Sequence, residues 1–305
     1  MIAFVFPGQG AQFAGMGKDL SENFPVARQI FAEADDALND HLSRLCFEGP
    51  EADLKLTANT QPAILTHSIA ALRVLEQETG LSPQVAAGHS LGEYSALVCS
   101  GALSFADAVQ IVRQRGQFMQ EAVPVGKGAM AAILGLDNDV LQAICSSAAQ
   151  GEVVAPANFN STGQIVIAGH SAAVNRACEL AKEQGAKRAL PLPVSAPFHC
   201  ALMQPAAERL AKVLAQLAVG DMLCPVVSNV EATPNQKSGR VVELLVKQVC
   251  APVRWTESVQ TMVDLGVSRF VELGPGKTLS GLIKRLTSDA ELQNVEDCDS
   301  LKKIQ

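Results

Sequence analysis

Residues 84–101, QVAAGHSLGEYSALVCSG, decide how the chain reads. A short apolar run meets Gly88-His89-Ser90-Leu91-Gly92 and then a helical pattern, so the stretch reads as strand, sharp turn and helix. In that context G-x-S-x-G is a nucleophile elbow. The glycines let the chain turn so tightly that Ser90 stands at the apex, its hydroxyl exposed at the start of the helix. The next backbone amide, that of Leu91, then points at the same spot. A tetrahedral oxyanion formed at Ser90 would be met by that N–H, and one such donor is worth roughly 2.7–4 kcal/mol of barrier. The plainer alternative is a structural turn; the strand before and the helix after favour the nucleophile.

Outward from the elbow, helical and strand patterns alternate, which places the chain in the α/β class. Residues 60–78 read as a helix with Thr60 as cap, Pro62 in its first turn, Ile64, Leu65, Ile69, Leu72 and Leu75 at helical spacing, and Gly80 as stop. VPVGKG at 123–128 breaks the rhythm. From there the order is strand (128–135), helix (138–149), strand (153–158), strand (164–169), helix (171–185) and strand (187–194), the β-α-β-β-α-β order of a ferredoxin-like unit. Pro-rich PLPVSAPF then returns the chain. The expected architecture is therefore a large α/β-hydrolase-like subdomain, residues 1–125 and 196–305, with a small ferredoxin-like subdomain, residues 126–195, inserted in it and a cleft between them. Beyond the insertion come a helix at 204–217, a strand in PVVSNV (225–230), a helix at 240–250, and strand, glycine turn and helix in RFVELGPGKTLSGLIKRL (269–286). The charged residues 288–305 read as peripheral.

Composition narrows the function classes. With 305 residues, 48% of them apolar, and a formal charge of −7, the chain can bury one large core or two smaller ones. The negative charge disfavours non-specific nucleic-acid binding but leaves room for an acidic partner docked on a local basic patch. Eight cysteines without a C-x-x-C pair argue against a structural zinc site or a disulfide framework and read as reduced, mostly buried thiols. The first residues lack a basic segment, their apolar run stops at Pro7, and no stretch of about 20 apolar residues follows. A cytoplasmic protein without membrane contact is expected.

Two glycine loops resemble phosphate cradles and fail the test. Gly8-Gln9-Gly10 is followed by Phe13 where a dinucleotide fingerprint needs its third glycine. Gly276-Lys277-Thr278 has the tail of a P-loop, but Val271 stands where its first glycine belongs. Each is either a tight turn after a strand or a loop with some task other than holding phosphate.

A serine needs a base, most often histidine. His89 adjoins Ser90, so its side chain diverges and reads as packing; His41 and His67 sit in helical regions with no special neighbours. His170 follows a strand of the small unit, and His199, in VSAPFHC, lies where the chain returns at the cleft edge. Spacing alone leaves both open, with His199 ahead. Helical phase singles out one cation: Phe105, Ala108, Val109, Ile111, Val112, Phe118 and Met119 form one apolar stripe, with Arg115 inside it and Arg113 outside. A guanidinium there is costly to bury unless paired, either by an internal salt bridge or by a substrate carboxylate held bidentately.

At these residues the sequence resembles the malonyl-CoA:acyl carrier protein transacylases of fatty acid synthesis and the related acyltransferase domains of polyketide synthases. FPGQGAQ (6–12), TQPA (60–63), GHSLGEYSAL (88–97), RG (115–116), GAMAAI (128–133), NFNSTGQIVIAG (158–169), PVSAPFHCALM (193–203) and ELGPGKTLSGL (272–282) occur in family order over almost the whole chain. The resemblance implies Ser90 as acylated nucleophile, His199 as base, and the main-chain carbonyl of Gln248 in place of the usual carboxylate behind the histidine. It implies the Gln9 amide as second oxyanion donor beside Leu91, Arg115 as reader of the malonyl carboxylate, and Met119 and Phe198 in the acyl pocket. Asn160 is expected to border the cleft, with a structural loop role equally open. The implied substrates are malonyl-CoA, which releases CoA, and phosphopantetheinylated acyl carrier protein, with no metal or other cofactor, in a monomer. Lys284 and Arg285, with Lys187 and Arg188, are the expected docking patch for the acidic carrier. The rival readings are a serine esterase or thioesterase, which would be indifferent to Arg115, and a non-catalytic acyl-carrier-binding module, which would have no use for Ser90 and His199 together.

Overall fold

The computed structural model describes residues 1–194 and 196–304. Ser195, where the chain is expected to return to the larger unit, and Gln305 lie outside the described residues. In chain order the strands are β1 (Ile2–Phe6), β2 (Val85–Gly88), β3 (Gly128–Leu134), β4 (Val154–Ser161), β5 (Gln164–His170), β6 (Arg188–Pro191), β7 (Val226–Val227), β8 (Pro234–Asn235), β9 (Arg269–Leu273) and β10 (Glu291–Val295). The helices are α1 (Lys18–Asn23), α2 (Pro25–Leu38), α3 (Leu42–Glu48), α4 (Glu51–Leu54), α5 (Thr57–Thr79), α6 (Gly92–Cys99), α7 (Phe105–Glu121), α8 (Asn138–Ala149), α9 (Ser171–Glu183), α10 (Gln204–Leu214), α11 (Val241–Cys250), α12 (Trp255–Asp264), α13 (Thr278–Ile283) and α14 (Cys298–Leu301).

The large sheet runs β10-β9-β1-β2-β7-β8, parallel from β10 to β7 and closed at one edge by the antiparallel β8. A parallel sheet covered on both faces needs strands apolar on both sides, and IAFVF and VAAG supply them: Ala3 to Phe6 and Val85 to Ala87 are inaccessible to solvent. Their residues divide between two cores, Phe4 and Phe6 packing with α5 and α7, Ala3 and Val5 with α12 and α13.

The small sheet runs β4-β5-β3-β6, antiparallel throughout, the strand order of a ferredoxin-like unit. Strand alternation gives its two faces different work. Ala131, Ile133, Ile165 and Ile167 pack under α8 and α9 in a core of their own. Met130, Val166 and Ala168 point the other way, into the core shared with the larger unit.

Local expectations are revised in several places. Helix α5 begins at Thr57, three residues ahead of the expected start, so Thr60 does not cap it and Pro62 lies inside it. Thr60 is instead buried and donates to the Leu54 carbonyl at 2.6 Å. Burial overrides the capping signal: sixteen of the 23 residues of α5 are buried, making it a core helix with no polar face. The strand expected over 187–194 shortens to β6, and that in PVVSNV to Val226–Val227, because Ser228 and Asn229 turn away to serve other contacts. The segment expected to be peripheral contains β10, the edge strand of the large sheet, whose Val295 is fully buried. Phe118 is half-buried at the border of the α7 stripe, its ring covered by the Arg209 guanidinium 4.0 Å from its centroid.

His67, deep in α5, donates from Nε2 to the Glu296 carbonyl at 2.9 Å and so ties the central helix to the strand-edge segment. Burial pulls its pKa down to about 4, so it is held neutral. Below the ordinary value of 6.5 the unfolded chain takes a proton that the folded one refuses, so this residue's contribution to stability falls as pH drops from 6.5 towards 4. Denaturant titrations at stepped pH should give a smaller acid loss for His67→Gln than for wild type, by up to about 3 kcal/mol; parallel curves would contradict it.

Candidate active site

The elbow is built as its glycines require. A Cβ on Gly88 would lie 1.9 Å from the backbone carbon of Gly92, and one on Gly92 would lie 2.0 Å from the Phe6 carbonyl oxygen. Ser90 between them has φ 51°, in the left-handed region that a serine enters only when its surroundings hold it there. Two side chains do so: the Ser90 N–H donates to Asn229 Oδ1 at 2.7 Å, and its carbonyl accepts from Gln248 Nε2 at 2.9 Å.

Ser90 Oγ lies 2.7 Å from His199 Nε2, and His199 Nδ1 lies 2.9 Å from the Gln248 carbonyl. A carbonyl can only accept, so the proton sits on Nδ1 and the Nε2 lone pair faces the serine hydroxyl. His199 has φ 59° and is almost fully buried. Burial, then the charge of Arg115, pull its pKa down to about 3 against the partial support of the Gln248 carbonyl. The ring is therefore neutral and able to accept a proton. Geometry thus separates the two open histidines: His170 ends β5 with Nδ1 accepting the Val153 N–H at 2.9 Å.

Arg115 is 1% exposed, on the buried stripe of α7. It donates to Gln61 Oε1 at 2.7 Å, Gln248 Oε1 at 2.9 Å and Ser90 Oγ at 3.2 Å, and stands 5.4 Å from the Tyr94 ring centroid. Among the described residues no carboxylate forms an ion pair with it, so the internal salt bridge is not what pairs it. Arg113, outside the stripe, is bound instead to Asp40 and Asn59. Around Ser90 and Arg115 is a cavity of about 270 Å³, lined from the larger unit by Gln9, Leu91, Met119 and Phe198 and from the small sheet by Met130 and Asn160. Among the described residues the backbone amides of Gln9 and Leu91 have no protein acceptor. Both are free to donate into the cavity.

This constellation joins a serine hydroxyl, a buried histidine and a buried cation that has no carboxylate partner among the described residues. A model of the acyl transferase domain family matches residues 3–305. The chain belongs to the acyl transferase domain family. It is 53% identical over 285 residues to a malonyl CoA-acyl carrier protein transacylase of Escherichia coli K12, covering 93% of this chain and 92% of that one. An acyl carrier protein S-malonyltransferase crystal structure from Vibrio cholerae superposes with a TM-score of 0.97 at 51% identity, over 100% of this chain and 99% of that one. A malonyl-transacylase solved in complex with its type II polyketide-synthase acyl carrier protein gives 0.96 at 50% identity, over 99% and 97%.

Three residues of this acyl transferase site escape a reading of the sequence for chemistry. Gln61 lies within TQPA, but Asn59 and Thr60 beside it are polar too, so nothing in the pattern of α5 singles it out. Glu93 is a carboxylate in the apolar run of α6, 2% exposed; its Oε2 accepts from the Asn229 N–H at 3.0 Å and from Gln248 Nε2 at 2.8 Å. Asn229 leaves no signal, because only the tertiary fold carries it to Ser90. His89 does more than pack: its Nε2 lies 2.8 Å from Asn160 Oδ1, fixing the side chain at the cleft border. The P-loop-like turn is closed to phosphate by the protein's own carboxylates. Glu272 accepts the N–H groups of Leu279 and Ser280 at 2.9 and 2.7 Å, and Glu296 accepts that of Gly276 at 2.9 Å.

With His199 depressed by burial and by Arg115, the reaction of Ser90 with an uncharged fluorophosphonate should persist in wild type well below pH 6.5, the ordinary histidine value. Arg115→Gln removes the charge and should move the acid limb of that rate profile to higher pH. An unshifted limb would contradict the electrostatic account.

Proposed function

We propose that the chain transfers the malonyl group of malonyl-CoA to the phosphopantetheine thiol of acyl carrier protein, by way of a malonyl ester on Ser90. The observation that carries this reading is Arg115: a buried guanidinium without a carboxylate partner, 3.2 Å from the nucleophile and facing the cavity. The relatives of about 50% identity named as malonyl transferases give the reading its substrate. A plain esterase needs no cation there.

His199 Nε2 takes the Ser90 proton as Oγ attacks the thioester carbonyl, and the oxyanion is met by the amides of Leu91 and Gln9. The intermediate collapses with loss of CoA thiolate, which takes the proton back from His199. The carrier thiol then attacks malonyl-Ser90 by the same route, its proton passing through His199 to Ser90 Oγ. The substrate carboxylate pairs with Arg115, so its arrival offsets the charge that depresses His199 and strengthens the base when acyl group and nucleophile are together. The same pairing draws Arg115 away from the Ser90 hydroxyl. Met119, Phe198 and Asn160 bound the acyl group. Nucleophile, base and oxyanion donors all come from the polypeptide, and the sequence of steps calls on no metal or organic cofactor. The reading is of a cytoplasmic monomer supplying fatty acid synthesis. Among the described residues no helix is long and apolar enough to cross a membrane.

The decisive experiment is mass spectrometry after mixing with malonyl-CoA. A malonyl adduct is expected on the Ser90 peptide and none in Ser90→Ala; an unmodified wild-type protein ends the reading.

The carrier would dock on the rim formed by four exposed cations. Arg188 pairs in register with Leu134, Leu134 with Gln164, and Gln164 Oε1 accepts from Arg285 at 2.8 Å. Lys187 and Arg188 thus share one end of the small sheet with Lys284 and Arg285, and Gln164 reaches the cavity from there. Charge reversal at these positions should raise the KM for carrier protein and leave that for malonyl-CoA unchanged. An unaltered carrier KM removes the patch.

A further inference from the structure

Glu93 has no part in the steps above, yet it sits behind the nucleophile and touches everything that holds it. Its Oε2 takes the backbone N–H of Asn229 and the side-chain amide of Gln248. Those two residues carry the polar groups of the strained turn: Asn229 Oδ1 accepts the Ser90 N–H, Asn229 Nδ2 donates to the Gly88 carbonyl at 2.7 Å, and Gln248 Nε2 donates to the Ser90 carbonyl. The same Gln248 amide accepts Arg115 at Oε1. A carboxylate, one amide and a guanidinium therefore form a chain in which the two charges are separated by a single side chain, all of it buried. Hydrogen bonds chained through one amide polarise one another, and a buried cation without an adjacent anion is stabilised by a negative group one side chain away.

We propose that Glu93 is a positioning residue of the transfer reaction: through Gln248 and Asn229 its carboxylate holds Ser90 in the left-handed conformation, and it balances Arg115 until the substrate carboxylate arrives. The inference rests on the malonyl-transfer reading. Burial pushes the Glu93 carboxyl up to about 7, against the Asn229 N–H, the Gln248 amide and the Arg115 charge, so it is mostly ionised at pH 8. In the substrate complex Arg115 then faces two anions, one on each side. The carboxylate thereby weakens the preference for malonyl over an uncharged acyl group while it keeps the nucleophile aligned. These opposed effects separate its role from simple structural support.

The test uses Glu93→Gln and Glu93→Ala in the full-length protein at pH 8. The glutamine keeps an oxygen for both donors and removes the charge. Its ratio of acylation kcat/KM for malonyl-CoA over acetyl-CoA should rise about tenfold, because the malonyl carboxylate becomes the sole counter-charge of Arg115. A lesion in packing would slow both substrates alike and leave the ratio where it was. Glu93→Ala removes the acceptor as well, and labelling of Ser90 by an uncharged fluorophosphonate should slow roughly 10- to 100-fold. If the alanine variant does not fold, Glu93→Asp, which withdraws the carboxylate by one methylene, should show the slowed labelling in its place. An unchanged or lower ratio in Glu93→Gln overturns the charge role; wild-type labelling in the folded alanine or aspartate variant overturns the positioning role. Fluorophosphonate labelling is independent of the acyl donor, so failure of wild type to accept malonyl would count against the functional reading and leave the labelling test standing.

Discussion

Every polar group of Gln248 except its own N–H meets a residue of the candidate site. Its carbonyl fixes the tautomer of His199, its Oε1 receives Arg115, and its Nε2 reaches both the Ser90 carbonyl and Glu93. The residue is completely buried at the inner face of α11, so His199, Arg115 and Ser90 share one rigid reference point. A carbonyl orients an imidazole without adding charge. A carboxylate in that place would raise the histidine's pKa and would also offer Arg115 a counter-ion of the protein's own. With the neutral carbonyl, the guanidinium stays unpaired and available.

Keeping Arg115 unpaired has costs that the surrounding residues offset. A guanidinium without solvent or counter-ion is unstable, and here it is held by two amide oxygens, a hydroxyl and the Tyr94 ring while its Nε lacks a partner. Removing Gln61 or Gln248 would therefore do more than delete a hydrogen bond, since each leaves buried positive charge uncompensated. The arrangement also links specificity to reactivity. Arg115 depresses His199 and touches Ser90 Oγ, so in the proposed reaction a group that neutralises it would make His199 more basic and free the Ser90 hydroxyl in one event.

What the sequence discloses follows from how local each interaction is. The elbow is legible because its glycines fall at fixed spacing within five residues: Gly88 is needed by the close approach of Gly92, and Gly92 by that of the end of β1. Arg115 is legible because helical phase places it among Phe105, Ala108 and Met119, and a cation in an apolar stripe is an anomaly. The small sheet is legible as an order of elements, and its strand alternation carries through to the two faces of β3 and β5. Asn229 is illegible: it leaves a strand that lasts two residues, and nothing near it in sequence announces that its amide will cap a turn 139 positions away. The start of α5 is misread for a related reason. Thr60 carries a capping signal, but it is buried and its hydroxyl is taken by the Leu54 carbonyl at the end of α4.

Two strand–glycine–helix turns of this chain have the same local grammar and opposite uses, and the difference lies in what fills the amides. At the start of α13, Glu272 reaches from the end of β9 and takes the N–H groups of Leu279 and Ser280, so the dipole and the donors of that turn are spent on the fold. At the start of α6 the nearby carboxylate, Glu93, is turned away from its own helix N-terminus and bonded to Asn229 and Gln248, and among the described residues the Leu91 amide is left without a protein acceptor. An open amide beside a left-handed serine is a place where a transient negative charge lowers the energy. A filled one is a joint. The rule extends to the Gly8–Gly10 loop, where the Gln9 side chain is anchored on Thr57 at 3.3 Å while its backbone N–H remains free: a glycine turn in this fold can serve an anion only where the protein has withheld its own carboxylates.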